Sequence, residues 1–185
     1  DTKNQLLAVC SSSKSQVDQT ITLLRNTLGS LKVTPIATQV DPNSLMSDWL
    51  LSDDLPDGLA LGNDCEMANL AKEQGSIKFN NQGLQEDSIL RHLHEGKTIA
   101  QLSFNWQGIV SFNLSKDLVF TKIKWLELDL EAGPLDSSQD KAQALDASFI
   151  LMTGIITNIL NTIVTAAKGY KNIENTQPAN LEVVV

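Results

Sequence analysis

Asp146–Lys168, DASFILMTGIITNILNTIVTAAK, is the stretch whose reading decides the fold. Phe149, Met152, Ile156, Leu160 and Ile163 recur at spacings of 3, 4, 4 and 3, which is one face of an α-helix. Ile150, Leu151, Ile155, Ile159 and Val164 widen that face, so the helix is expected to be buried on several sides. At ~1.5 Å per residue it would run ~33 Å, enough to cross a small domain. Thr153, Thr157, Asn158, Asn161 and Thr162 interrupt it and make it a poor membrane span, because polar groups are expensive in lipid. Gly154 disfavours the helix by roughly 1 kcal/mol relative to Ala and predicts a close neighbour there. Lys168 and Gly169 suit a C-terminal cap. Two roles fit such a helix: a core element, or a packing surface between subunits.

Immediately upstream the pattern is β. Thr98–Trp106, Ile109–Leu114 and Val119–Leu130 read as three strands, with Gln107-Gly108 as a tight hairpin turn and Ser115–Asp117 as the second turn. Gly133-Pro134 ends this meander, and Ser137 or Asp140 starts the long helix. Further back, Gln85–His94 reads as a short helix ended by Gly96, Ser76–Asn80 as a strand, and Cys65–Glu73 as a short helix stopped by Gly75. Leu59–Leu61 suits a short strand, and Asp41-Pro42 opens a helix through Leu45, Trp49 and Leu50. At the N-terminus, Gln5–Cys10 is a strand, and Val17, Ile21, Leu24 and Leu28 line a helix ended by Gly29. Ser13 and Gln16 resemble a capping box for that helix. Val33–Thr38 is a second strand, placed at an edge or made irregular by Pro35. The tail beyond Gly169 has no helical period and reads as loose or as an edge strand; its Val183–Val185 run suggests docking. The fold expected is α+β: a strand–helix–strand unit over residues 1–75, a β-meander packed by the long helix over 76–168, and a loose tail over 169–185.

The chain carries 14 Lys+Arg against 22 Asp+Glu, a net charge of −8, which argues against a uniformly basic nucleic-acid binder but permits a local basic patch. Cys10 and Cys65 make no disulfide framework, so a reducing compartment is expected. No secretory signal pattern opens the chain, and its start at Asp1 suggests a fragment or a processed product.

Candidate chemistry is sparse. His92 and His94 are two apart on a helix and point in different directions, which suits no shared metal. Glu127, Asp129 and Glu131 alternate on a strand and share one face; they suit a divalent-metal nuclease site or a solvated outer face. Asp53, Asp54 and Asp57 lie in a Pro/Gly loop and suit turn and capping roles. Ser11–Ser13 lack any nucleophile motif and suit helix capping. No phosphate-cradling glycine loop is present, and no cofactor is expected. Lys122 and Lys124 share one strand face, with Thr121, Ile123 and Trp125 assigned to the other. Lys78 lies on another strand, Lys97 starts the meander, Arg25 and Lys32 flank the end of the first helix, and Arg91 precedes Lys97. Converging, these would make a phosphate-binding surface; scattered, they are solubilising charge.

TLLRNTLGSLKVTPI (22–36), SDWL (47–50), HLHEGK (92–97) followed by a strand ending in Asn105-Trp106-Gln107, and above all ASFILMTG (147–154) together resemble the bacterial recombination-associated RdgC family. The order and spacing of these segments match across residues 1–168 and correspond to the C-terminal portion of the family. The resemblance implies a non-enzymatic nucleoid protein of the bacterial cytoplasm. It implies a ring-shaped homodimer whose basic hole encircles duplex DNA without sequence preference, with single-stranded DNA as a second form, and which restrains RecA-driven recombination. No membrane is implied. Carried over residue by residue, Arg25 sits in the matching LLR segment and Lys78 at a basic strand position. Lys97 ends the helix–Gly–Lys turn, and Lys122 and Lys124 match a basic pair on the last meander strand. Asn80-Asn81 depart from the pattern, standing where further lysines are expected. Two other classes remain open: an oligomerisation module whose DNA contacts lie in a missing N-terminal part, and the metal-dependent nuclease.

Overall fold

A computed structural model gives the architecture. It describes residues 1–11, 13–69, 75–126, 138–171 and 180–184, with backbone alone for 138–140 and 180–184. The elements are β1 (Leu6–Val9), α1 (Lys14–Leu28), β2 (Val33–Pro35), α2 (Pro42–Ser52), β3 (Leu59–Ala68) and β4 (Ser76–Phe79). They continue with α3 (Asp87–His94), β5 (Thr98–Trp106), β6 (Val110–Ser115), β7 (Phe120–Trp125), α4 (Ser138–Ala166) and β8 (Asn180–Val184). The fold is α+β, as the sequence pattern indicates.

Two sheets form. The smaller runs β1-β8-β2, with β8 parallel to both neighbours. Residues 180–184 are therefore neither loose nor an edge strand but the centre of this sheet. A central parallel strand reads as a continuous apolar run and finds its partners far away in sequence, so local pattern cannot place it. Pro35 does lie on an edge strand, where its missing N–H is tolerated. At the start of α1, Ser11 rather than Ser13 engages Gln16: Ser11 Oγ donates to Gln16 Oε1 at 2.6 Å, and the Ser13 side chain makes no capping bond.

The larger sheet is antiparallel, in the order β4-β3-β5-β6-β7. Its β5–β6 hairpin turns through Gln107 (φ 51°) and Gly108 (φ 72°), a pair of left-handed residues whose twist matches the flanking strands. One face of this sheet is apolar. Met67, Ile99, Leu102, Phe104, Val110, Phe112, Leu114 and Phe120 are buried there in one cluster with Met46, Trp49 and Leu50 of α2 and Ile89 and Leu93 of α3. Ring contacts thread the cluster from Trp49 through Phe104 and Phe112 to Phe120, with centroids 5.2–5.8 Å apart.

Residues 65–68, read from sequence as the start of a helix, are instead the end of β3. Cys65 and Met67 point inward and alternate with the partly exposed Glu66 and Ala68, the period of a half-buried strand. Pairing with both β4 and β5 overrides the local helical preference. Residues 70–73 lie outside the described residues. Burial of Cys65 pushes its thiol up to about 12, so it behaves as a core side chain.

The long helix divides. Ile159, Leu160, Ile163, Val164 and Ala167 are buried in the main core, but Leu145, Phe149, Ile150 and Leu151 are exposed. The face that runs from Phe149 to Ile163 is thus open at Phe149 and buried at Leu160 and Ile163, and a Cβ on Gly154 would meet no atom within 4 Å, so the close neighbour expected there is not supplied by the described chain. By length and composition α4 could cross a membrane, with mean hydropathy 1.7, yet its C-terminal third is core. Gly169 (φ 94°) caps it as expected, its N–H donating to the Val164 carbonyl at 2.8 Å.

Gly62 is required by a close approach: a Cβ there would run into the side chain of Ser103 on the neighbouring strand. Gly62→Ala is expected to lower stability by about 1–3 kcal/mol through overpacking at this crossing. Urea unfolding checks it; an unchanged midpoint would mean the two strands can separate freely.

Candidate nucleic-acid interface

The second face of the five-stranded sheet is polar, because residues alternate across each strand. Gln101, Ser103 and Asn105 of β5 and Ser111, Asn113 and Ser115 of β6 occupy it, between the apolar positions named above. Two irregularities shape it. In β3 the register with β5 shifts between Leu61 and Cys65, and the Asp64 N–H there donates to Ser103 Oγ at 2.7 Å instead of to a strand carbonyl. In β7 the register with β6 slips between Ser111 and Asn113, and Lys122 takes the left-handed conformation (φ 52°). That bulge puts one extra residue on the polar side.

The bulge corrects the face assignment on β7. Thr121 pairs with Asn113, and its Oγ1 accepts a hydrogen bond from Gln101 Nε2 at 2.9 Å, so it lies with the lysines on the polar face. Ile123 and Trp125 pack against the core as assigned. Lys122 and Lys124 do share a face, Lys124 standing opposite Ser111. Lys78 joins them from β4 across Glu66, and Lys78 and Lys122 line one shallow depression of about 110 Å³ with Asp64, Glu66, Gln101 and Asn113.

Three of the five basic residues singled out from sequence are thus brought together, and two are not. Arg25 lies on α1, where its Nε donates to the Leu31 carbonyl at 3.0 Å and ties down the turn after the helix. Lys97 sits after α3 with its Nζ 2.8 Å from His92 Nδ1 and 3.6 Å from Glu95. His92 in turn packs on Phe79, which alternates with Lys78 and so faces away from the polar surface. His94 is exposed and shares no contact with His92. Asp53 takes the left-handed C-cap position of α2 (φ 56°), a capping role as read from sequence.

Sequence reasoning missed the carboxylates of this face. Glu66 Oε2 lies 3.2 Å from Lys78 Nζ, and Asp64 Oδ2 lies 3.2 Å from Lys122 Nζ. The Asn81 N–H donates to Asp64 Oδ1 at 3.0 Å, placing one of the two departing asparagines in a supporting role. The Asn81 bond, then Lys122 and Lys124, hold the Asp64 carboxyl below its ordinary range against the opposing effect of burial. Alternation through Asp64, Glu66 and Ala68 was the available signal, hidden by the turn-forming Gly62-Asn63-Asp64 run. Among the described residues no group of three or more His, Cys, Asp or Glu could hold a metal ion. Glu127, Asp129 and Glu131 lie outside the described residues.

Asp64 contributes stability above its ordinary 3.8, where its unfolded form is also charged, and loses it as pH falls through the lower folded value. The gap in urea midpoint between wild type and Asp64→Asn is therefore expected to be widest near neutral pH and to close on acidification below about 3.8. A gap independent of pH would show that the charge of Asp64 is not what the fold uses.

Comparison with known proteins adds a family. The family model described as "Putative exonuclease, RdgC" matches residues 1–170. The recombination-associated protein RdgC of Mannheimia succiniciproducens is 31% identical over 172 residues, 93% of this chain and 57% of that protein. That of Pasteurella multocida is 33% identical over 171 residues, covering 92% and 56%, and that of Yersinia enterocolitica 32% over 169, covering 91% and 56%. The chain spans a little over half the length of these curated relatives.

Proposed function

The chain belongs to the RdgC family, and from that premise we propose that it binds duplex DNA without sequence preference, through the polar sheet face, as part of a homodimer acting in recombination. The observation that carries this reading is the convergence of Lys78, Lys122 and Lys124 on one face beside uncharged donors. Ammonium groups contact phosphates, and the hydroxyls of Ser111 and Thr121 can donate to phosphate and sugar oxygens. No helix projects from this face among the described residues, so nothing in it resembles a major-groove reading element, which suits binding without sequence preference. Relatives named as recombination-associated support a role in that process. We place the protein in the bacterial cytoplasm on the nucleoid, where a ring of two copies would hold duplex or single-stranded DNA and restrain RecA. The phosphate contacts are assigned to Lys78, Lys122 and Lys124 because these three share one face, whereas Arg25 on α1 and Lys97 after α3 lie apart from it.

The dimer part of the reading rests on α4. Leu145, Phe149, Ile150 and Leu151 leave a large apolar face open, and Gly154 leaves room beside it for a closely packed helix. A second copy offering the same face would bury both. Sedimentation is expected to show a dimer for the wild type and half that mass for Ile150→Asp, with circular dichroism unchanged. A dimer that survives the substitution would place the subunit contact elsewhere.

The word exonuclease in the family description raises catalysis as a second reading. Asp64 and Glu66 each face a lysine, the geometry of ion pairs, which favours binding over metal-dependent cleavage at this face. Replacing Lys122 and Lys124 together with Ala is expected to weaken binding equally across unrelated duplexes and to flatten the salt slope by roughly 0.9 per lost phosphate contact. Anisotropy of a labelled duplex measures both. The duplex should be recovered intact with magnesium or manganese. Unchanged affinity and slope would remove the pair from the site, and shortened strands would restore the nuclease reading.

A further inference from the structure

The lysines of the polar face do not stand free. Each of Lys78 and Lys122 is paired to a carboxylate 3.2 Å away that lies deeper in the surface than the lysine does: the side chains are 62% and 28% exposed for Lys78 and Glu66, and 57% and 30% for Lys122 and Asp64. Lys124 makes no ion pair among the described residues. The carboxylate of Asp64 is fixed in place by the Asn81 N–H, while the lysine across from it is aimed by the left-handed bulge at Lys122. A non-glycine residue rarely takes that conformation. The bulge thus brings the Lys122 ammonium over a carboxylate held by the Asn81 N–H. With both carboxylates charged, the three lysines leave the face a single net positive charge.

A phosphate oxygen approaching either ammonium would come within a few ångströms of the carboxylate behind it, and like charges at that range repel appreciably near a protein surface. We infer that Asp64 and Glu66 are resident competitors for phosphate, each occupying a lysine of the nucleic-acid face until a backbone phosphate displaces it and thereby holding the affinity of that face down. The inference rests on the proposed binding face and adds to it the residues that set its strength. A protein that embraces DNA without reading sequence must also let go of it. Weak, exchangeable contacts meet that need, because residence time is governed mainly by dissociation.

Isosteric neutralisation tests it, since Asp64→Asn and Glu66→Gln keep the shape and an acceptor oxygen while removing the charge. Duplex binding to the 185-residue chain is followed by anisotropy over a series of salt concentrations. Each variant is expected to tighten binding roughly three- to tenfold at ~0.1 M salt and to steepen the salt slope by up to ~0.9, one additional phosphate contact. Asp18→Asn, on the exposed side of α1, raises the net charge by the same amount and is expected to change affinity by less than about twofold. If Lys78→Ala and Lys122→Ala weaken binding but the carboxylate variants do not tighten it, the competition is refuted while the binding face stands. Equal tightening by Asp18→Asn also refutes it, because total charge would then be the cause. If neither lysine variant changes binding, the face itself is wrong and the inference falls with it.

Discussion

The pairing of β3 with β5 is the constraint on which the polar face depends. Between Leu61 and Cys65 the two strands fall out of register, and Gly62 lets the backbones approach so closely that Ser103 reaches across. The Ser103 hydroxyl satisfies the Asp64 N–H, which the broken ladder would otherwise leave without a partner. Asp64 lies on the polar side, where it meets Lys122 from the far edge of the sheet. The slip is of two residues, so the alternation of faces is kept: Cys65 rather than Asn63 stands opposite Leu102, and Glu66 rather than Asp64 stands opposite Gln101. Two strand irregularities, one at each side of β5–β6, thus collect charged groups from β3 and β7 over the same patch.

Charge distribution follows from the same geometry. The sheet commits one face to an aromatic and aliphatic core sealed by α2, α3 and part of α4, so its charged residues can only accumulate on the other face or at the rims. A chain with net charge −8 can then still present a patch of opposite sign. The long helix shows a comparable division along its length. Its C-terminal third completes the core, while its N-terminal half leaves the large apolar side chains of Leu145, Phe149, Ile150 and Leu151 exposed. The helix is a core element at one end and an open apolar surface at the other.

Much of the fold is legible in the sequence. The meander, the Gln107-Gly108 turn, α1, α2 and the cap at Gly169 all follow from local periodicity and turn chemistry, which act over a few residues. What is not legible depends on distant partners. The strand at 65–68 hides because turn-forming residues precede it and one of its two partners, β5, lies thirty or more residues downstream. The place of β8 at the centre of a parallel sheet is set by strands from the opposite end of the chain. For the candidate site, Lys122 and Lys124 on one face were readable from spacing of two, and Lys78 from its strand. A bulge leaves no local signature, so spacing alone puts Thr121 on the wrong side; a helical reading of 65–73 hides Glu66, and the turn-forming Gly62-Asn63-Asp64 run hides Asp64. For Arg25 and Lys97 the sequence shows a charge but not the carbonyl or imidazole beside it.

We propose that nucleic acid meets this chain on the polar face of the five-stranded sheet, and amide chemical-shift mapping with a short random-sequence duplex tests this. Shifts are expected to concentrate on Asp64 and Glu66 of β3, Lys78 of β4, Ser111 and Asn113 of β6, and Thr121–Lys124 of β7, fading as salt is raised. Shifts concentrated instead on α1 around Arg25, or spread evenly over the surface, would contradict it.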